Sequence, residues 1–83
     1  MKIFKMVMKM LQEIRKRKGI SQKELSIYSN IKLKTIQSYE QKTKNIDNAK
    51  IETLMKLSIV LDCGILELLN DEELRNLGKR ARL

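Results

Sequence analysis

The sequence has no histidine, no proline and one cysteine, and each of these shortages excludes a kind of site or fold. Without histidine, and with Cys63 as the single thiol, the chain supplies neither a zinc site nor an intramolecular disulfide. It also has only three glycines and three aromatic residues. This composition favours continuous helices over a turn-rich sheet, so it predicts an all-α fold.

Long apolar runs are missing as well. No run of 18 apolar residues occurs, and we therefore expect no membrane-spanning helix. Lysines interrupt the first ten residues, which lack a small-residue cleavage site, so no secretory signal is expected. Because a lone cysteine suits a reducing compartment, the cytoplasm is the expected location.

Catalytic groups are scarce. The chain has no histidine, no glycine-rich phosphate loop and no carboxylate pair with an evident pocket, so the sequence does not predict an enzyme. Cys63 follows Asp62 at a helix end with no base available, and a structural thiol is its expected role. No metal, other cofactor or small-molecule ligand is expected.

What the chain has in excess is positive charge, +8 over 83 residues, a length that suits one domain. Residues 1–50 contain 13 Lys and Arg against four Asp and Glu, a net charge of +9. Residues 51–83 contain five against six, a net charge of −1. This asymmetry indicates one face directed at a polyanion, although the lysines could also do no more than solvate helix surfaces.

Apolar spacing and capping residues predict the first helices. Residues 4–18 carry apolar side chains at helical spacing, and Gly19 ends that helix after a basic last turn. Ser21 and Glu24 match a capping box at the start of a second helix. Asn30 is expected to end the second helix, because asparagine tolerates the left-handed conformation of a helix exit.

A third helix is predicted from about Lys32 to residue 41, with Ile36 and Tyr39 on its inner face. Asp47 or Asn48 is then expected to cap a fourth helix, in which residues 51–61 follow a 3.6-residue period. Residues 65–69 predict one or two apolar helical turns. A short C-terminal helix with an acidic first turn follows, and Gly78 is expected to end it.

The connection between the second and third helices points to a function. It contains only three or four residues, 29–32, which favours a crossing near 90–120° and hence a helix-turn-helix unit. The second helix of such a unit protrudes and fits the major groove of DNA, which is about 12 Å wide. The sequence therefore predicts sequence-specific binding of double-stranded DNA.

Four segments resemble the phage-repressor/Cro-type helix-turn-helix family in order and spacing. They are residues 11–25 (LQEIRKRKGISQKEL), 30–40 (NIKLKTIQSYE), 51–57 (IETLMKL) and 65–69 (ILELL). The resemblance covers roughly residues 8–69 of the chain. It implies a lambda-repressor-like, compact bundle of about five short helices, DNA binding, and a role in transcriptional regulation.

The resemblance also implies roles for individual residues. Those expected to face base edges are Leu33, Lys34, Gln37 and Ser38. Those expected near DNA phosphates are Gln22, Lys32, Lys42, Lys44 and Asn45. A structural ion pair is implied between Arg15 and Glu40, joining the first helix to the end of the third.

Side-chain chemistry agrees with several of these roles. Lys34 can donate to guanine O6 and N7, and Gln37 can pair with adenine N6 and N7, whereas Leu33 could only contact a thymine methyl. Gln22 and Lys32 lie at helix starts, where backbone amides favour phosphate. The alternative for these polar residues is a solvated helix face.

The chain departs from the family pattern at several positions. Asn30 stands where glycine is frequent, Ser29 where leucine is frequent, and Lys42 where glycine is frequent. The loop after the third helix is also longer than usual. The assignments of Lys42, Lys44 and Asn45 to phosphate depend on the course of that loop.

We therefore predict a helix-turn-helix DNA-binding domain in residues 1–70, and a short helical extension with a basic tail in residues 71–83. The expected function is a repressor that binds its operator as a homodimer, with half-sites about 34–36 Å apart. The expected dimer surface consists of Leu66, Leu69, Leu74 and Leu77, with Phe4 and Val7 as a second candidate.

Two other functions stay open at this point. One is a protein-interaction module on the same fold, such as the antitoxin of a toxin–antitoxin pair, which would still bind its own operator; the basic first half argues against a purely protein-binding role. Membrane association through residues 2–11 would use Phe4 and the neighbouring methionines, although core packing or a dimer contact explains those residues more simply. We expect no membrane partner.

Overall fold

Helices are the only regular secondary structure in residues 10–41 and 43–81, the part of the chain that the computed structural model describes. The α-helices are α1 (Met10–Lys18), α2 (Gln22–Ser29), α3 (Leu33–Glu40), α4 (Ile51–Leu61) and α5 (Glu72–Ala81). Two 3-10 turns, Ile46–Asn48 and Ile65–Leu68, precede and follow α4. The predicted all-α fold of about five helices is confirmed. The predicted part of the first helix before Met10 lies outside the described residues.

Local side chains set the ends of α2. Ser21 Oγ accepts a hydrogen bond from the Glu24 amide at 3.0 Å, and Glu24 Oε1 accepts one from the Ser21 amide at 2.8 Å. Both halves of the predicted capping box are therefore present, and they satisfy two amides that the helix itself leaves unpaired. At the other end Asn30 takes a left-handed conformation with φ of 60°, as predicted.

One hydrophobic core joins α1 to α4 with the 65–68 turn. Its largest fully buried side chains are Leu25, Ile36, Ile46, Leu57 and Leu68. The helix α4 buries Leu54, Leu57 and Leu61, because a 3.6-residue period places these positions on one face. Burial of such side chains contributes about 1.5–3 kcal/mol each and dominates the stability of the domain.

The start of α4 differs from the prediction. Neither Asp47 nor Asn48 caps it, because both lie in the 46–48 turn, and α4 begins only after Lys50. The longer loop folds into this turn and thereby buries Ile46, which is 2% exposed. Asp47 instead bonds to a residue distant in sequence: its Oδ1 accepts a hydrogen bond from the Asn70 amide at 2.7 Å. Tertiary packing has overridden a local capping preference.

The C-terminal helix α5 is longer than predicted. It passes through Gly78 and continues to Ala81. Gly78 faces the 65–68 turn, where an added Cβ would lie 2.6 Å from the Cβ of Leu66. The glycine is thus required by a close approach between α5 and the turn, and the expectation that it ends the helix is wrong.

The predicted leucine surface is divided by the fold. Leu69 is 4% exposed and belongs to the core, and Leu66 is half-buried beneath α5, so neither forms a free dimer surface. The 65–68 turn directs both side chains inward. Leu74 and Leu77 remain 39% and 47% exposed. The second candidate pair, Phe4 and Val7, lies outside the described residues.

Candidate nucleic-acid interface

The turn between α2 and α3 holds α3 with one face inward. Ser26 Oγ donates to the Ile31 carbonyl at 2.5 Å, and the Ile31 amide donates to the Ser26 carbonyl at 3.3 Å. Ile36 and Glu40 are buried on the inner face of α3 at 0% and 3% exposure. Lys34 is therefore directed to solvent on the outer face, where it is exposed.

A buried polar network fixes the C-terminal end of α3. Arg15 donates through Nε to Glu40 Oε2 at 2.7 Å and through Nη2 to Glu40 Oε1 at 3.0 Å. Gln22 Nε2 also donates to Glu40 Oε1, at 2.8 Å, and Arg15 Nη1 donates to the Ile20 carbonyl at 2.9 Å. A two-point arginine–carboxylate pair is strong and directional, so this network ties α1, α2 and α3 together.

The ionisation of Arg15 follows from this network. Its hydrogen bond to Glu40 raises the pKa of the guanidinium above its ordinary value, outweighing the opposing effect of burial. The two side chains are 9% and 1% exposed, so the ion pair that the family resemblance implied is present and buried. It is a structural element, because it lies on the inner side of α3.

A basic surface covers the outer side of α3 and the loop after it. A shallow cavity of about 210 Å³ is lined by Lys32, Lys34, Thr35, Ser38 and Lys44. A second cavity of about 520 Å³ is lined by Thr35, Tyr39, Lys44, Asn45, Asn48, Ala49, Lys50 and Thr53. The two cavities share Thr35 and Lys44 and contain no acidic residue. We name the combined surface the basic face, defined by Lys32, Lys34, Lys44 and Lys50.

The expected base-contacting residues differ in exposure. Lys34 is exposed, Leu33 is 36% exposed, and Gln37 and Ser38 are half-buried. Lys34 and Ser38 line the smaller cavity, whereas Leu33 and Gln37 line neither cavity of the basic face. The Ser38 carbonyl accepts hydrogen bonds from the Thr43 and Lys44 amides at 3.0 and 3.2 Å, which hold the loop against the end of α3.

The expected phosphate-contacting residues divide as well. Lys32 and Lys44 are exposed on the basic face. Asn45 is exposed, but its Oδ1 accepts a hydrogen bond from the Asp47 amide at 3.0 Å, which leaves its amide nitrogen for a ligand. Gln22 is half-buried and braces Glu40 from one side. Lys42 lies outside the described residues.

Sequence reasoning missed Lys50, one of the four lysines of the basic face, and Thr35, which both of its cavities share. Lys50 lines the larger cavity because it precedes α4, and Thr35 lines both cavities. Lys50 is the last base of the positively charged first half. A prediction that began the fourth helix after Lys50 would have placed this residue in the basic loop. Thr35 carried no sequence signal apart from its position one residue after Lys34.

Comparison with known proteins agrees with this geometry. A family model described as helix-turn-helix matches residues 11–68, from α1 to the end of the 65–68 turn. Neither a curated protein nor a solved structure matches the chain significantly. Among the described residues, no helix has the length and apolar character needed to cross a bilayer. The matched range includes α3 and the basic face and stops before α5.

Proposed function

Because the chain belongs to the helix-turn-helix family of Cro/C1 type, whose members are DNA-binding transcription regulators, we propose that it is a cytoplasmic repressor that binds a specific operator. The observation that carries this proposal is the basic face, which runs from α3 into the following loop and whose two cavities are lined by four lysines and no acidic residue. A surface of one charge sign attracts the phosphates of DNA and repels a second basic surface. A symmetric operator would then bind two copies of the chain.

In this proposal α3 lies in the major groove and contacts base edges. Lys34 donates to guanine O6 and N7, and Gln37 pairs with an adenine edge, each contributing about 1–3 kcal/mol of discrimination. Leu33 packs on a thymine methyl, and Ser38 donates or accepts at the far end of the helix. Ile36 is buried and contacts no base. Its packing in the core fixes the orientation of α3, so that the outer face of the helix is directed at the DNA.

Phosphate contacts come from the ends of the basic face. Lys32 precedes the first turn of α3 and lines the smaller cavity with Lys44, and Lys44 and Lys50 line the larger one. Asn45 and Gln22 add neutral donors, and Lys42 is assigned from the sequence alone. Phosphate contacts of this kind position the protein and carry no direct sequence information. Each neutralised phosphate steepens the fall of affinity with salt concentration.

The test selects bound sequences from a random pool of duplexes and then compares three variants on the selected site. Lys34→Ala should lower affinity for the selected site, with little effect on unrelated sequences. Lys44→Ala should lower affinity for all sequences alike and reduce the salt slope by about one. Lys56→Ala is the matched control, because Lys56 is on α4, pairs with Glu52 at 3.7 Å and lines neither cavity.

Two results would contradict the proposal. A flat salt dependence of DNA affinity would remove phosphate binding and with it the DNA function. Identical behaviour of Lys34→Ala and Lys44→Ala would remove the division between base and phosphate contacts, although the DNA function would then stand.

Binding of a partner protein, as in an antitoxin, is a second candidate function. An exposed apolar row on α4 supports it, since Ile51, Met55 and Ile59 are 61%, 47% and 75% exposed and lie four residues apart. Such a row is typical of a helix that packs on another protein. Ile59→Glu should leave operator affinity in vitro unchanged, and loss of regulation in cells despite that affinity would favour the partner.

A further inference from the structure

Asp47 is an acidic residue beside the basic face. A third cavity, of about 410 Å³, is lined by Lys44, Asn45, Asp47, Asn70 and Asp71. This cavity adjoins the basic face, because Lys44 and Asn45 also line the larger cavity there. A negative charge next to such a surface repels phosphate. By its charge alone, Asp47 therefore weakens the binding of DNA.

The carboxylate of Asp47 also joins two distant parts of the chain. Its Oδ1 accepts the hydrogen bond from the Asn70 amide at 2.7 Å, across 23 residues of sequence. A hydrogen bond to a carboxylate is short and strong. The position of Asn70 is set by the core, because Leu68 and Leu69 directly before it are 0% and 4% exposed. Asp47 therefore ties the 46–48 turn to a fixed part of the domain.

The tie adds to two other attachments of residues 43–49, which we name the contact loop. At its start, the Thr43 and Lys44 amides donate to the Ser38 carbonyl. At its centre, Ile46 is buried in the core. A single buried side chain fixes the place of a turn but leaves rotation about that side chain open. The bond from Asp47 adds an attachment on the C-terminal side of Ile46 and removes this freedom.

The side chain of Asn45 depends on the same turn. Its Oδ1 accepts a hydrogen bond from the Asp47 amide at 3.0 Å, so the backbone position of Asp47 sets the direction of the Asn45 side chain. A contact residue that is already in place binds more tightly than one that must be ordered on binding, because ordering costs free energy. The charge of Asp47 thus lowers DNA affinity, whereas its hydrogen bond raises it.

We propose that Asp47 is a positioning residue for DNA binding, whose hydrogen bond to Asn70 holds the contact loop ready to bind phosphate. The effect of the bond exceeds that of the charge. A longer loop has more conformational freedom to lose, so the extra length of this one makes the tie more important. The inference rests on the proposed operator binding and adds to it a residue that itself contacts no DNA.

The experiment compares Asp47→Ala with Asp47→Asn in their affinity for the selected operator at one salt concentration. Both changes remove the charge, but only asparagine keeps an oxygen that accepts a hydrogen bond from the Asn70 amide. Asp47→Ala should lower the affinity roughly threefold to tenfold, the effect of having to order one or two side chains on binding. Asp47→Asn should bind as tightly as the wild type or more tightly, because a repulsive charge is gone.

Asp71 provides a matched control. It lines the same cavity as Asp47, but its Oδ1 accepts a hydrogen bond within the first turn of α5, from the Leu74 amide at 3.1 Å. Asp71→Ala and Asp71→Asn should therefore have the same affinity as each other. A difference between them as large as that between the two Asp47 variants would overturn the proposal, because the effect would then not need the tie to the contact loop.

A second background separates positioning from general stability. When Lys44→Ala has already removed a phosphate contact of the loop, the loss caused by Asp47→Ala should fall to about twofold or less, because residues that act together are not additive. A residue that only stabilised the fold would cause the same loss in both backgrounds. That result would overturn the proposal.

Amide hydrogen exchange of Asn70 reports the tie without DNA. Exchange should be slow in the wild type and in Asp47→Asn, and faster in Asp47→Ala. Across the three proteins, operator affinity should follow the protection of this amide and not the charge at residue 47. Fast exchange in the wild type would overturn the proposal, and so would a variant whose Asn70 amide exchanges fast but which binds as tightly as the wild type.

The same measurements distinguish this inference from the proposed function. A wild-type chain that binds no DNA would overturn operator binding and the role of Asp47 with it. Operator binding by the wild type with an unchanged affinity in Asp47→Ala would overturn the role of Asp47 alone.

Discussion

The helices α3 and α5 are both anchored by a buried arginine, but they present different outer faces. Arg15 holds α3 through the carboxylate of Glu40, and Arg75 holds α5 through two backbone carbonyls. The two cavities on the outer side of α3 are lined by lysines and no acidic residue, whereas α5 carries acids in its first turn and bases in its last. The same kind of anchor therefore supports two surfaces with different arrangements of charge.

Charge arrangement decides which kind of partner a helix face can attract. A face of one sign is repelled by its own copy and attracted to a polyanion. A face with both signs at opposite ends is attracted to its reversed copy. Net charge alone would not separate these cases, because it does not report the order of charges along a helix.

Removing each arginine leaves different groups unpaired in the interior. We expect the removal of Arg15 to lower the stability of the protein most. Arg15→Ala strands Glu40 as an unpaired buried carboxylate, so we expect a loss of about 3–5 kcal/mol in the free energy of unfolding. Urea denaturation measures it. Arg17→Ala is the control, because Arg17 is 71% exposed and lies 4.0 Å from Glu13, and its loss should be about 0–1 kcal/mol. Equal losses in the two variants would contradict the buried pair.

Arg75→Ala should have a smaller effect, because it strands carbonyl groups and no carboxylate. Hydrogen bonds from a charged donor contribute about 1.5–3 kcal/mol, and we expect a loss in that range by urea denaturation. The affinity for a DNA half-site should stay near the wild-type value. A loss of stability as large as that of Arg15→Ala would contradict the expected difference between the two arginines.

Cys63 lies just after α4, outside both regions, and its prediction concerns reactivity with no change in stability. It shares a cavity of about 230 Å³ with Arg17 and Lys18 of α1 and with Glu67. Burial, assisted by Glu67 and Asp62, raises the pKa of the thiol from 9.0 to about 11.

At pH 8, below both values, this shift lowers the thiolate fraction roughly 100-fold, and the thiolate is the reactive form. Alkylation by iodoacetamide should therefore be about 100 times slower in the native protein than in urea. Equal rates in the two conditions would show that the thiol is not shielded in the native protein.

Much of the helix-turn-helix unit could be predicted because its signals are local. The capping box of Ser21 and Glu24 joins residues three apart, and the left-handed Asn30 terminates its own helix. The inner position of Ile36 follows from helical period alone. The Arg15–Glu40 pair spans 25 residues and was expected only through the family resemblance.

The C-terminal half was predicted less well because its determinants are distant in sequence. Asp47 looks like a helix cap, but the Asn70 amide, 23 residues away, uses its carboxylate. Gly78 looks like a helix stop, but it is a contact point for Leu66. Leu69 looks like a surface leucine, but the 65–68 turn inserts it into the core. Sequence periodicity shows that a helix has an apolar face, but it does not show which other part of the chain packs on that face.

The sequence by itself determined where α1 ends, where α2 begins and ends and where α3 begins, and the excess of positive charge in the first half. These features depend on hydrogen bonds within one turn and on composition, so they need no knowledge of the rest of the chain. The tertiary structure alone decided that Lys50 joins Lys32, Lys34 and Lys44 on one face, and that Leu77 stays outside while Leu69 goes in. Those outcomes depend on which distant surfaces pack together, and close packing of a shared core settles them for all the helices at once.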